Sequence, residues 1–282
     1  MSYDPLRTSQ HYDAYGLSEW ERLVRSPLEE IKLYIHNHYL RAYLSPGSRV
    51  LEIGAGPGRF TQTLHTLGCR VLVTDLSEVQ LELNRQKAEE LGFAQAVEGW
   101  QRLDVCEMAA IASDAFDAVV CYVGPFSYVF ERADRAVQEC ARVLKAGGML
   151  LSSAMSLWGT AHAFFGGVLA IPLDLNRQIL RTGDLTPKTQ PDSTHHCHMF
   201  RADEYRALHQ RNGLHVVCMS ASNTLSTGWD EKLKDYRADP ALWEFILESE
   251  LEASAQPGYL DGGTHILTEA SKEIVDGQPA CG

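Results

Sequence analysis

The 282-residue sequence has no Cys-x-x-Cys pair among its seven cysteines, no long hydrophobic run, no internal repeat and no excess of basic residues. Each absence removes a class of protein. Scattered cysteines give no zinc-ligand spacing and no disulfide framework, and they fit a reduced, cytoplasmic setting. No secretory leader is read at the opening residues. The longest greasy patch, residues 163–170, contains two glycines and is far short of the ~20 residues that a spanning helix needs, so no membrane partner is expected. With 37 acidic against 25 basic side chains, the formal net charge of −12 disfavours any partner held through phosphates, and no nucleic acid is expected. The length allows one large core, or one core with an attached cap.

What is present is concentrated in residues 49–60, Arg-Val-Leu-Glu-Ile-Gly-Ala-Gly-Pro-Gly-Arg-Phe. The first half is a short apolar run that fits a buried parallel strand. Glycines at 54, 56 and 58 make a turn that lets backbone approach a ligand, and residues 59–67 read as a helix. Glu52 stands just before the turn. Asp75 closes the next apolar run, 21 residues after Gly54, where an acid can take two ribose hydroxyls. A dinucleotide fingerprint needs Gly-x-Gly-x-x-Gly, and its third glycine position is occupied here by Arg59. The plainer alternative is a tight strand-to-helix turn with no ligand.

The Gly-x-Gly-x-Gly spacing with its flanking acids resembles motif I of the class I S-adenosylmethionine-dependent methyltransferases. The resemblance covers residues 48–155 most fully, 201–221 in part and the remainder hardly at all. It implies S-adenosylmethionine as cofactor, which carries a sulfonium, an ammonium and a ribose but no phosphate. The residues it assigns to that cofactor are Tyr15, Glu52, Gly54, Ala55, Gly56, Asp75, Leu76, Asp104, Val105, Cys121 and Tyr122. For Asp104 two roles stay open, an acceptor for the adenine amino group or the cap of the turn that follows. Tyr12, Tyr15 and Trp20 either close over the cofactor with the N-terminal helices, as in the family, or pack those helices onto the core.

Alternation of strand and helix patterns predicts an α/β, doubly wound, Rossmann-like and mostly parallel seven-stranded sheet, with N-terminal helices and lid insertions. The strands are expected at 49–53, 70–75, 94–103, 116–122, 149–154, 214–220 and 263–270. Residues 1–47 form a cap, irregular to residue 16 and helical from the Ser26-Pro-Leu-Glu29 capping box to about Tyr43. Residues 48–155 are the cofactor core, with a helix capped by Ser77 that turns Leu76, Val79, Leu83 and Ala88 inward. A helix over 135–144 is expected to stop at Lys145-Ala-Gly-Gly148. Residues 156–200 are a lid with no single regular element. Residues 201–275 return to the core, beginning with a helix over 201–212 and interrupted by a helical insertion at 223–258, and 276–282 form a mobile tail.

The acceptor is legible only by exclusion. After the fourth strand, residues 122–128 read Tyr-Val-Gly-Pro-Phe-Ser-Tyr, without the Asn/Asp-Pro-Pro-aromatic signature of nucleobase-amine methylation. Neither the metal-dependent catechol pattern nor the double-glutamate loop of protein arginine methylation is present. A small-molecule acceptor methylated on O, N or S remains, with a non-catalytic cofactor-binding or regulatory protein as the alternative, as a monomer or homodimer. Extended backbone over His195-His-Cys-His198 would put His196 and His198 on one face and His195 and Cys197 on the other. One face supplies only two ligands, so no metal is expected. The expected catalytic groups are His196 or His198 as a base, with Tyr128 beside them.

Overall fold

The computed structural model describes residues 2–191 and 195–273, so the tail expected at 276–282 lies outside the described residues. In chain order the elements are α1 (Pro5–Tyr15), α2 (Ser18–Arg22), α3 (Pro27–Tyr43), β1 (Arg49–Ile53), α4 (Arg59–Thr66), β2 (Arg70–Asp75), α5 (Glu78–Leu91) and β3 (Val97–Arg102). There follow β4 (Phe116–Cys121), α6 (Pro125–Tyr128), α7 (Ala133–Val143), β5 (Leu144–Met155), α8 (Leu157–Ala163), α9 (Phe165–Ala170), α10 (Leu173–Thr182), β6 (Asp184–Leu185) and β7 (Cys197–His198). The chain returns through α11 (Ala202–Arg211), β8 (His215–Ser222), α12 (Asp230–Tyr236), α13 (Pro240–Ser254) and β9 (His265–Ser271).

Seven strands form one sheet in the order β3-β2-β1-β4-β5-β9-β8, parallel except for β9, which runs antiparallel to both neighbours. The chain winds outward from β1 through β2 and β3, then restarts at β4 on the other side. The carboxyl ends of β1 and β4 therefore flank the switch point where such sheets bind ligands. Period-two burial explains why the inner strands are apolar throughout. Leu51, Val119 and Leu150 pack on the α7 and α11 side, while Val50, Val71 and Val120 pack on the α4 and α5 side. Ile31, Ile35 and Tyr39 of α3 cover the far end of the sheet at Leu267 and Cys218. No described helix is long and apolar enough to cross a membrane.

Three local expectations differ from what is observed. Residues 5–15 are helical, because the Asp4 side chain accepts the Arg7 N–H and Pro5 sits in the first turn. In α5 the inner face is Gln80, Leu81, Asn84 and Ala88, with Val79 turned outward. Asn84 goes inward because its amide donates to the Gly56 carbonyl and the Thr61 hydroxyl, both at 3.1 Å, while its oxygen accepts from the Trp100 indole at 2.9 Å. Helix α7 ends at Val143 without a glycine cap. Leu144 is already extended and pairs with Phe116, and residues 145–148 are taken up by a shift in register before Met149 pairs with Ala118. The segment 156–200, expected to form no single regular element, holds α8, α9, α10 and the β6–β7 strand pair among its described residues.

The lid is seated on the sheet through a backbone contact. A Cβ at Gly159 in α8 would lie 1.7 Å from the Gly263 carbonyl oxygen, just before β9. Only glycine permits that approach. Replacing Gly159 by Ala should therefore lift α8 off the sheet and cost about 1–3 kcal/mol. Urea denaturation measures this, and an unchanged midpoint would contradict the close seating.

Candidate functional site

Two chambers meet above the carboxyl ends of β1, β2 and β4. The first is lined by Gly54, Ala55, Gly56, Asp75, Leu76, Val105 and Tyr122, all seven assigned from sequence to the cofactor. Its roof comes from the N-terminal cap through Tyr3, Ser9, Tyr12, Glu19 and Arg22. The cap is tied down where it crosses: the Gln80 amide donates to the Tyr12 and Gly16 carbonyls at 2.9 and 3.1 Å, and the Ser77 hydroxyl donates to Asp13.

Asp75 is the acid of this chamber. Its two oxygens accept the backbone N–H of Gly56 at 2.9 Å and of Ser77 at 2.8 Å, fixing the glycine turn against the start of α5. Burial raises its carboxyl to about 6, against the pull of those two N–H groups. Each oxygen keeps a lone pair for a ligand hydroxyl. Gly58 completes the turn with a φ of +103°, and a Cβ there would stand 3.0 Å from the Asn84 amide nitrogen.

Four sequence-assigned residues stand elsewhere. Glu52 lies beneath the turn, not on the chamber wall: it accepts from the Thr61 hydroxyl at 2.7 Å, and burial pushes its carboxyl up to about 8, so it is protonated at neutral pH. Asp104 takes the cap role, accepting the Cys106 N–H at 2.8 Å and the Tyr3 hydroxyl at 3.0 Å. Cys121 is enclosed in the core. Tyr15 lines the second chamber rather than the first.

The second chamber has a volume of about 1280 Å³ and shares Tyr12, Glu19, Arg22, Val123 and Tyr128 with the first. Its lid wall is apolar, with Leu157, Val168, Ile171, Ile179 and Met199, and its cap wall carries the ion pairs Glu19–Arg22 and Glu29–Lys32. At the neck between chambers the Tyr12 hydroxyl donates to the Tyr128 oxygen at 2.7 Å, and Tyr128 in turn bonds His195 Nε2 at 2.7 Å. Burial and the nearby His11 and Arg22 lower His195 to about 4, so its imidazole is neutral and can accept the Tyr128 proton. Val123 on the neck rim has a φ of +59°, a strained value for a β-branched residue. It is held there by its N–H to Ser153 Oγ at 2.7 Å; Ser153 donates in turn to His36 Nε2 at 3.0 Å.

The histidine alternation expected over 195–198 is present, but the face toward the second chamber is that of His195 and Cys197. His198 is removed from the candidate bases. Asp184 at 2.7 Å and Glu204 at 3.0 Å clasp its two nitrogens, and although burial works against the charge, these carboxylates raise it to about 9. It is a cation pinning β7 to β6 and α11. His196 faces a small side cavity beside His11, with Nε2 toward the Gln190 carbonyl at 3.4 Å. The sequence reading missed Glu19, Arg22 and Val123. The two charges sit on a five-residue helix with no motif, and a positive φ at valine leaves no signature.

Residues 50–148 match a family model described as a methyltransferase domain. The ubiquinone biosynthesis O-methyltransferase of Hahella chejuensis is 30% identical over 111 residues, 39% of this chain and 44% of that protein. The protein of the same name from Nitrosococcus oceani is 30% identical over 131 residues, 46% of this chain and 52% of that one. The chain thus spans about half the length of the curated relatives it matches. Among solved structures, the [4+2]-cyclase SpnF superposes with a TM-score of 0.63 at 17% identity, covering 97% of this chain and 98% of that one. An S-adenosylmethionine dependent methyltransferase from Mesorhizobium loti gives 0.56 at 21% identity, covering 83% and 96%. These likenesses show the fold.

Asp75 carries a pH prediction. A ribose hydroxyl pair donates to the ionised carboxylate, so binding favours loss of a proton that the free protein retains below about 6. Affinity for S-adenosylmethionine should be flat above pH 7 and fall as pH drops below 6, by up to about tenfold per unit. Asp75→Asn should remove that dependence and weaken binding about ten- to hundredfold at pH 7. Calorimetry across pH reads both effects, and a pH-independent wild type would contradict the assignment. For His198 the sign is opposite. Its folded value lies above the unfolded one, so its stabilisation is full below about 6.5 and disappears as pH rises through about 9. His198→Gln should flatten that alkaline loss in thermal melts.

Proposed function

We propose that this chain, a class I S-adenosylmethionine-dependent methyltransferase by its domain and its fold, methylates a hydroxyl oxygen of a large, mainly apolar small molecule. The observation that carries the reading is the Tyr12–Tyr128–His195 hydrogen-bond chain on the wall shared by the two chambers. Oxygen as the acceptor atom is supported by that chain and by the names of the curated relatives. A large acceptor is supported by a chamber above the roughly 300–1,000 Å³ of ordinary ligand sites. The acidic charge suits an enzyme acting in the cytoplasm.

The residues present fit the cofactor. Asp75 offers acceptors for ribose hydroxyls, and Glu19 with Arg22 offers both signs to a zwitterionic amino-acid end. Arg59, the one other cation among the described residues of this wall, is turned back onto the Trp20 ring at 3.7 Å and the Trp20 carbonyl at 2.8 Å, away from any phosphate role. S-adenosylmethionine supplies a methyl on a sulfonium, whose leaving group is a neutral thioether that needs no acid. The chain's residues therefore orient and deprotonate.

An acceptor hydroxyl at Tyr128 passes its proton to the tyrosine oxygen as the tyrosine proton passes to His195 Nε2. The new O–C bond forms as the C–S bond breaks. One positive charge disappears at sulfur while one appears on the imidazole, so the site's total charge is unchanged. Burial keeps both tyrosines un-ionised, which suits them to relaying a proton rather than storing a charge.

One observation favours a second reading, a protein that binds the cofactor without transferring its methyl: the Tyr12–Tyr128 contact closes the neck. The two readings separate on whether labelled methyl leaves the cofactor. Under the first, His195→Ala lowers kcat by about 10²-fold or more, with cofactor affinity unchanged. At saturating cofactor the acid limb of the rate should lie near pH 4, following the lowered imidazole, instead of near 6.5. A fully active His195→Ala protein would sink the base assignment.

A further inference from the structure

Besides His11 and His195, a third imidazole lines the acceptor chamber. His265 opens β9, in register with Met155 of β5 and Ser222 of β8, and it is only 7% exposed. Its tautomer follows from a chain of donors. The Asn223 side-chain amide donates to the Leu28 carbonyl at 2.6 Å, which orients its oxygen toward Thr264. The Thr264 hydroxyl donates to that oxygen at 3.3 Å, leaving its own lone pair for His265 Nδ1–H, also at 3.3 Å. The ring proton is thus on Nδ1, and Nε2 carries a lone pair.

No described residue donates to Nε2, and the ring is part of the chamber wall. Burial first, then the positive charges of Lys32 and Arg22, hold the ring neutral. Such a nitrogen is a fixed acceptor waiting for a donor. A buried acceptor left unmatched is costly, so the group that matches it is strongly selected.

We propose that His265 Nε2 is a specificity-determining contact that accepts a hydrogen bond from a second hydroxyl of the methyl acceptor. On this reading, which rests on the function proposed above, the acceptor carries two hydroxyl groups. One meets the Tyr128–His195 chain and is methylated, and the other is held at His265 and leaves as a free hydroxyl on a mono-ether product. His265 does not take part in the proton transfer. It decides which molecules present their reactive oxygen at the neck.

The test is equilibrium binding, by calorimetry, of a long-chain alkylphenol and its ortho, meta and para dihydroxy counterparts, with the cofactor chamber saturated by S-adenosylhomocysteine. The wild-type protein should bind one dihydroxy isomer about ten- to hundredfold more tightly than the monophenol. His265→Ala should abolish that preference while its affinity for S-adenosylhomocysteine stays unchanged, which certifies the fold. His265→Gln, which restores an acceptor near the Nε2 position, should recover part of the preference. The inference is overturned if the wild-type protein shows no preference, or if His265→Ala keeps it. Failure of the wild-type protein to bind any of the four would instead contradict the acceptor chamber itself, and this inference with it.

Discussion

Asp75 accepts the N–H of Gly56 with one oxygen and that of Ser77 with the other, so a single carboxylate joins the turn after β1 to the helix after β2. Nearly everything at the site depends on that junction. It sets the distance between the glycine turn and α5, and α5 carries Gln80, which holds the N-terminal cap in place over the chamber. Below the turn, Glu52, Thr61, Asn84 and the half-buried Trp100 form a second set of hydrogen bonds that supports the same loop. The acid nearest the glycines in sequence thus serves the scaffold, while the acid 21 residues after Gly54 lines the chamber.

The acceptor chamber has two walls of different origin and different chemistry. Cap residues from α2 and α3 bring paired charges, and the lid brings aliphatic side chains. An amphiphile fits such a space, its oxygens toward the cap and its hydrocarbon toward the lid. Contacts that hold the lid include the Gly159–Gly263 backbone approach, the His198 cation between Asp184 and Glu204, and the Ser156 N–H to the Thr264 carbonyl at 3.0 Å. Thr264 therefore belongs both to the lid's seat and to the chamber wall.

The fold was legible because parallel strands announce themselves: apolar runs ending in Glu52-Ile-Gly54 or Thr74-Asp75 leave few alternatives. Seven residues of the first chamber's lining were legible for the same reason, since that lining follows from where those strands stop. Reading failed where a polar residue was needed inside. Val79 and Leu83 looked like the buried face of α5, but the turn's orphaned Gly56 carbonyl needed Asn84, and satisfying a buried carbonyl outweighs burying one more valine. It failed also at the histidines, where alternation predicts two faces without saying which one sees the ligand. Asp184 and Glu204 decide that by capturing His198, and neither is close to it in sequence terms that a motif would register.

A pocket lined by Asp75, Gly54 and Gly56, whose described cations Arg22 and Arg59 are engaged by Glu19 and Trp20, should discriminate sharply between adenosine-bearing ligands. The most direct measurement is calorimetric titration of the intact protein with S-adenosylmethionine and, separately, with NAD. The account predicts a single site for S-adenosylmethionine, competed by S-adenosylhomocysteine, and no measurable heat for NAD. Binding of NAD at that site, with S-adenosylmethionine unable to displace it, would contradict the account at its centre.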